Sequence, residues 1–396
     1  MSVWICISIL TLTWIASLAK LTRRYLDYNA STPLHPCLDR KWPQFAKAFA
    51  NPSSLHESGR VAREAIESAR ETIASFISAS PEQLVFTSSA SEANNQVIQW
   101  VFDHHGPDAH VIISGLEHSS IREPVSYIQS QGVQVSIIEP DTQGRICVDD
   151  IAAAITDQTR LISVIWANNE IGTIQPIPEI LALAQKNNIP FHTDAVQWLG
   201  KYEINLQTLD VDFMTLSGHK CYAPKGVGAL YAKDPIGLTP FIRGGNHERG
   251  LRSGTENTMA IMAFAEVLAH TDPSALEAHI RPLKSQLVDQ LSERISDYYL
   301  VGNQSHCLYN TLAFGIQGVD AQALAMNMDL LGIDIATGSA CSSGATEPAH
   351  SIKAIRLPKS QQNEVVRLSL GQFTTAEDIE MSLAALSQSA DQIRHA

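Results

Sequence analysis

Residues 215–228 read TLSGHKCYAPKGVG, and Lys220 stands there with Ser217 and His219 just after a β-branched run. A lysine so placed is either a solvated loop residue or an amine available for Schiff-base chemistry. The second reading needs a carboxylate to pair with a pyridinium nitrogen. Asp194, in FHTDAVQWLGK (191–201), stands directly after another such run, with Gln197 three residues on. Taken alone, Asp194 reads more readily as a helix N-cap. A phosphate would need a cradle, and FTSSASEANN (86–95) offers Ser88, Ser89, Ala90 and Ser91 ahead of a helical stretch. Small hydroxyl residues at a helix start expose backbone N–H groups to an anion, although a plain serine cap looks the same. Lysine, carboxylate and cradle together make up the protein's half of a pyridoxal phosphate site. The carboxylate would keep the ring nitrogen protonated, so that the ring accepts electrons from a substrate Cα. One further residue stands out. Cys341 sits in ATGSACSSGATEP (336–348), among small turn-forming residues with little to pack against. Cysteine is usually buried, so this thiol is either a small loop residue or a nucleophile.

The elements that must position these groups alternate. QLVFTSS (83–89), HVIISG (110–115), VQVSIIE (133–139), RLISVIWA (160–167), PFHTDA (190–195), VDFMTLS (211–217) and GALYA (228–232) read as strands, several apolar throughout. Between them, 91–105 and 177–188 carry apolar residues at helical spacing. The pattern predicts an α/β fold with a mainly parallel central sheet, whose ligands bind beyond the carboxyl ends of its strands. After Gly254 helical patterns dominate through 256–270 and 274–295. A strand–helix–strand stretch then runs from about Tyr309, closing with VVRLSL (365–370) and a last helix from Thr375. That reads as a second, smaller α+β domain.

The chain has 396 residues, enough for two domains, and 28 basic against 41 acidic residues give a net charge of -13. That balance argues against a nucleic-acid partner. No G-x-G-x-x-G or P-loop pattern occurs, so nucleotide binding has no support. Six scattered cysteines (Cys6, Cys37, Cys147, Cys221, Cys307, Cys341) include no C-x-x-C pair, which favours a reducing compartment, the cytoplasm. Residues 2–19 are uncharged and apolar and are followed by Lys20, Arg23 and Arg24. This leader reads as an N-terminal membrane anchor with the remainder in the cytoplasm, or as a start assigned upstream of the true one. A cleaved signal would want basic residues before the apolar stretch.

In order and spacing, the chain resembles a cysteine desulfurase, a fold type I pyridoxal phosphate enzyme of the class V aminotransferase group. The likeness runs from YLDYNASTPLHP (25–36) to VVRLSLGQFTTAEDI (365–379). It passes through NPSSLHESG (51–59), EHSS (117–120), NNEIGTIQPI (168–177), TDAVQ (193–197), SGHK (217–220), RGLRSGTEN (249–257) and GSACSSG (338–344). The resemblance implies that Lys220 bonds the cofactor, Asp194 pairs with its ring nitrogen and Gln197 hydrogen-bonds its phenolic oxygen. It implies that His118 stacks on the ring and moves protons, and that Ala90, Ser91, Ser217 and His219 contact the phosphate. Asn169 and Arg367 would hold the substrate carboxylate, Arg367 through a two-pronged bond that lysine could not copy. Thr255 matches a position that reaches the phosphate of a neighbouring subunit, which implies a homodimer. The family's phosphate loop usually has Gly and Thr where this chain has Ser89 and Ser91, and Ser89 is expected to need a backbone angle that glycine reaches more easily.

The domains then expected are a leader at 1–20, a large cofactor-binding domain at 33–262, and a small domain built from 21–32 and 263–396 that carries the Cys341 loop. The expected reaction converts L-cysteine to L-alanine, with sulfur passing to Cys341 as a persulfide and on to an iron–sulfur scaffold or sulfur carrier. No resident metal is expected, although Cys341 would touch a nascent iron–sulfur cluster transiently. An aminotransferase or β-lyase of the same fold needs only Lys220 and Asp194, and a non-catalytic scaffold relative needs neither. His56, His104, His105 and His192 read as structural or solvated, and Arg249 and Arg252 as a solvated patch or part of an interface. The other five cysteines read as packing or surface, Cys221 being notable only for its place beside Lys220.

Overall fold

The computed structural model describes residues 23–337 and 348–395. The apolar leader and Cys341 lie outside the described residues.

Twelve strands are described: β1 (Arg24–Tyr25), β2 (Leu84–Thr87), β3 (His110–Ser114), β4 (Gln134–Ile138), β5 (Thr159–Ser163), β6 (Phe191–Asp194), β7 (Phe213–Ser217), β8 (Gly228–Ala232), β9 (Tyr298–Val301), β10 (Thr311–Ile316), β11 (Ile333–Asp334) and β12 (Val365–Ser369). All seven runs read as strands before Gly254 enter one sheet, in the order β2-β8-β7-β6-β5-β3-β4. The pairs from β4 through β7 are parallel, and β8 runs antiparallel to both β7 and β2. Strands β2, β3, β6, β7 and β8 are buried at every residue, as strands covered on both faces must be. Helices Ala90–His105 and Ser119–Ser130 pack together over one face. Helices Glu57–Phe76 and Thr258–Ala269 form a pair elsewhere around the same sheet.

The C-terminal part has its own three-stranded antiparallel sheet, β12-β10-β9, and its own apolar cluster, which includes Leu287, Leu312, Phe314, Leu368 and Leu383. Strand β9 is half-buried and short. Strand β11 pairs with β1 instead of joining this sheet. The segment after β1 then bridges the two halves. Leu26 N–H donates to Asp334 O, Tyr28 N–H to Ser369 O, Thr32 N–H to His219 O and His35 N–H to Tyr222 O. The chain near its start is thereby laid across the carboxyl ends of the large sheet.

Candidate active site

Three strand ends converge on one cavity. Asp194 closes β6, Ser217 closes β7 and is followed by the tight turn Gly218–Lys220, and the loop after β2 leads into helix Ala90–His105. The cavity, of about 190 Å³, is lined by Ala90, Ser91, His118, Asn169, Asp194, Gln197, Ser217, His219, Lys220 and Arg367, together with Asn29, Ala30 and Ser120. Eleven of the residues singled out from the sequence, Ser89 among them, therefore meet there, drawn from positions 278 apart along the chain. Thr255 is exposed and does not line the cavity.

The Lys220 ammonium donates to the carbonyl oxygens of Asn29 (2.6 Å) and Ala30 (2.7 Å). Asp194 is 4% exposed, and both of its oxygens are held: Asn94 Nδ2 donates to Oδ2 at 2.9 Å and the Val196 N–H to Oδ1 at 3.0 Å. No helix follows it, only turns, so Asp194 is not serving as a helix cap. The Gln197 amide is fixed at both ends, with Nε2 donating to Asn29 O at 3.0 Å and Oε1 accepting from Lys201 Nζ at 3.2 Å. His118 caps helix Ser119–Ser130, its Nδ1 accepting from the Ser120 N–H at 3.1 Å. Burial, and then the charges of Lys220 and Lys225, push the His219 imidazole down to about 4, so at neutral pH it presents a neutral ring.

The segment expected to cradle a phosphate is a helix start. Ser89 is the N-cap of Ala90–His105, its Oγ accepting from the Glu92 N–H at 3.3 Å. Its φ of -171° is ordinary extended backbone, which corrects the expectation that Ser89 needs an angle favouring glycine. The tight spot lies opposite, at Gly228. A Cβ there would come within 2.8 Å of the Ser89 carbonyl carbon and 3.0 Å of the Ala90 nitrogen, so glycine is what lets β8 approach the cradle. The Ser217 hydroxyl is buried and has no partner among the described residues. An orphaned hydroxyl beside free helix-start amides fits a phosphate, and a lysine and a buried carboxylate across the same cavity fit a pyridinium aldehyde. The residues present therefore fit pyridoxal phosphate.

Arg367 is 2% exposed on β12. One Nη donates to Asn169 O at 2.8 Å, the other pairs with Asp27, and Nε has no partner among the described residues. A carboxylate arriving at this guanidinium would have to share or displace Asp27.

Several contributors carried no sequence signal. The Asn29 and Ala30 carbonyls act through the backbone, although their motif was part of the resemblance. Asn94 and Lys201 sit inside quoted motifs without a role. Glu117, next to His118, is buried with Oε1 accepting from Ser114 Oγ and the Ile165 N–H, and its other oxygen has no partner among the described residues. Burial pushes this carboxyl up to about 8. Arg252 is no solvated residue, since its guanidinium pairs with Glu92 at 2.9 Å, and Arg249 donates to Leu84 O. Cys221 is inert: burial pushes its thiol up to about 12, and Sγ donates to Gly218 O. His192 is a buried strand residue between Ser163 and Thr215, and His56 caps helix Glu57–Phe76.

The aminotransferase class-V family matches residues 24–381, and the chain belongs to that family. A cysteine desulfurase IscS of Dictyoglomus turgidum is 38% identical over 374 residues, covering 93% of this chain and 95% of the relative. A solved NifS-like protein from Rickettsia africae superposes with a TM-score of 0.84 at 32% identity, covering 93% of this chain and 99% of that one. A structure described as SspA in complex with cysteine gives 0.78 at 32% identity, over 89% of this chain and all of its own. Within the family, this chain is a cysteine desulfurase. Among the described residues no helix is long and apolar enough to cross a membrane.

Proposed function

We propose that the cavity at the ends of β6 and β7 holds pyridoxal 5'-phosphate and receives L-cysteine, whose sulfur leaves on Cys341. The observation that supports this best is the meeting of Lys220, the two-donor carboxylate of Asp194 and the orphaned Ser217 hydroxyl in one cavity. Lys220 bonds the cofactor, Asp194 pairs with the ring nitrogen and Gln197 meets the phenolic oxygen. His118 stacks on the ring, while Ala90, Ser91, Ser217 and His219 take the phosphate. When bound, the cofactor supplies an electron sink for charge developing at the substrate Cα.

The chain's own groups do the rest. Arg367, steadied by the Asn169 carbonyl, orients the substrate carboxylate, and Asn169 lies against it from the cavity wall. Lys220 Nζ and His118, both in the cavity wall, would take and return the Cα proton. The Cys341 thiolate attacks the substrate sulfur: the S–S bond forms, the Cβ–S bond breaks, and its electron pair stays on the carbon fragment. That fragment is protonated to alanine. The persulfide passes to an acceptor such as an iron–sulfur scaffold or sulfur carrier, and Cys341 would contact a nascent cluster only in that transfer. Thr255 is exposed, which leaves it available to a second subunit's phosphate in a homodimer. The seven-stranded sheet and the separate three-stranded sheet support a large and a small domain, with bounds proposed at 33–262 and at 21–32 with 263–396. Among the described residues Cys37, Cys147, Cys221 and Cys307 form no disulfide, which supports a reducing, cytoplasmic setting.

The test is a visible spectrum and an alanine-plus-sulfide assay on the purified protein. Cys341→Ser should keep the cofactor absorbance and abolish sulfide release, and persistent sulfide would refute the persulfide step. Lys220→Ala should lose the lysine-bound absorbance, and an unchanged spectrum would refute its assignment.

A further inference from the structure

Away from the cavity, a sulfur, an oxygen and a nitrogen ligand have been brought together. Cys37 lies in the tight turn Pro36–Leu38, which packs on helix Thr258–Ala269. Glu266 and His270 sit one helical turn apart at the end of that helix, so their side chains share a face. One ligand atom from each of Cys37, Glu266 and His270 lies within 4.8 Å of the other two. Zinc-like ions hold such atoms at about 2.0–2.3 Å, which puts neighbouring ligands roughly 3–4 Å apart, so small side-chain adjustments would close the set.

Burial and the Glu266 charge raise the Cys37 thiol, so an ion binding here would have to displace its proton. His270 Nδ1 is 2.8 Å from the Glu266 carbonyl oxygen and 3.6 Å from Glu266 Oε1, so the proton sits on Nδ1 and a turn of the ring is needed to offer the Nε2 lone pair to the same ion. Metal-bound histidines are commonly oriented by such a bond from their other nitrogen. The side chain is half exposed. Lys41 Nζ already stands 3.2 Å from Glu266 Oε1, a cation at the cluster's edge that a divalent ion would displace or share the carboxylate with. His35, whose ring is 6.3 Å from that of His270, is not a fourth ligand as it stands. Its Nδ1 accepts the Cys37 N–H at 3.1 Å, which puts the proton on Nε2. Water would fill the remaining position.

We propose that Cys37, Glu266 and His270 form a three-ligand site for a divalent transition ion of the zinc or cobalt kind, separate from the catalytic cavity. Mixed thiolate, imidazole and carboxylate donors select such ions over magnesium or calcium, which take oxygen alone. The ion would staple the segment containing His35 to helix Thr258–Ala269. That segment also carries the Asn29 and Ala30 carbonyls on which Lys220 rests, and His35 N–H donates to Tyr222 O.

The experiment is a Co²⁺ titration of the reduced full chain with bound cofactor, followed by the thiolate-to-cobalt charge-transfer absorbance. One equivalent per chain is expected to produce the band, and Zn²⁺ should bleach it. Cys37→Ser should remove the band, and Glu266→Gln and His270→Ala should each weaken binding by about tenfold or more. Cys341→Ala should keep it. Zn²⁺ should also raise the melting temperature of the wild type by a few degrees and leave Cys37→Ser unchanged. If Cys37→Ser does not fold, the Glu266 and His270 variants carry the test, since both side chains reach solvent. The proposal is overturned if saturating Co²⁺ gives no band, if the band survives in Cys37→Ser, or if it disappears in Cys341→Ala.

Discussion

Asn94, fully buried on helix Ala90–His105, donates its amide to Oδ2 of Asp194 at 2.9 Å, linking the helix that starts the phosphate cradle to the carboxylate at the end of β6. The same Nδ2 reaches Ser120 Oγ at 2.8 Å, and that hydroxyl contacts His118 Nδ1 at 2.8 Å. One amide thus ties the Asp194 carboxylate, through Ser120, to the His118 imidazole.

Asn94→Ala should therefore loosen the cofactor without touching it. Losing a hydrogen bond to a charged group costs about 1.5–3 kcal/mol, equivalent to roughly ten- to a hundredfold in affinity. Equilibrium dialysis against dilute pyridoxal phosphate, read by absorbance, measures this directly. Unchanged affinity would mean that the Val196 N–H alone suffices to hold Asp194.

What the sequence showed of all this follows from where each signal resides. The seven strands before Gly254 were legible because a strand buried on both faces is a run of apolar residues with no polar face to confuse the pattern. Lys220 and Asp194 were legible because strand ends place them. Strand β9 was not, since Tyr298–Val301 is only half-buried and follows a long helix directly. The acceptors for Lys220 are backbone carbonyls, which no residue type announces. Arg252 looked solvated because its partner, Glu92, lies 160 residues away. Ser89 was misjudged because the glycine demand sits at Gly228, across the cradle and far along the chain.

Glu117 should make stability fall as pH rises. Burial, the largest cause, together with the Asp194 charge, lifts its carboxyl from 4.5 to about 8 against the bonds from Ser114 and Ile165. Between those values the folded chain holds a proton that the unfolded chain has lost. The stabilising contribution is thus complete below about pH 4.5 and is lost as pH climbs through 8, by up to about 1.4 kcal/mol per pH unit. Glu117→Gln keeps the shape and cannot ionise. Its urea midpoint should gain on the wild type from about pH 5 to pH 8, and parallel midpoints would show that Glu117 is ionised in the fold.

Lys201 should act with the opposite sign. It is 7% exposed, and burial followed by the charge of Lys220 pushes its ammonium from 10.5 down to about 7. Above pH 7 the folded chain has released a proton that the unfolded chain keeps until about 10.5. The cost of burying the charge is therefore full below about pH 7 and shrinks as pH rises, so stability increases across that window. Lys201→Met removes the titration, and the wild type should gain on the variant in denaturant midpoint between about pH 7 and pH 9.5. The substitution also takes away the donor to Gln197 Oε1, leaving that amide fixed by Asn29 O alone. If Gln197 meets the cofactor's phenolic oxygen, the bound cofactor's visible absorbance should titrate at a different pH in Lys201→Met than in the wild type. A spectrum unmoved by the substitution, with the stability difference present, would leave Lys201 a buried lysine with no hold on the site.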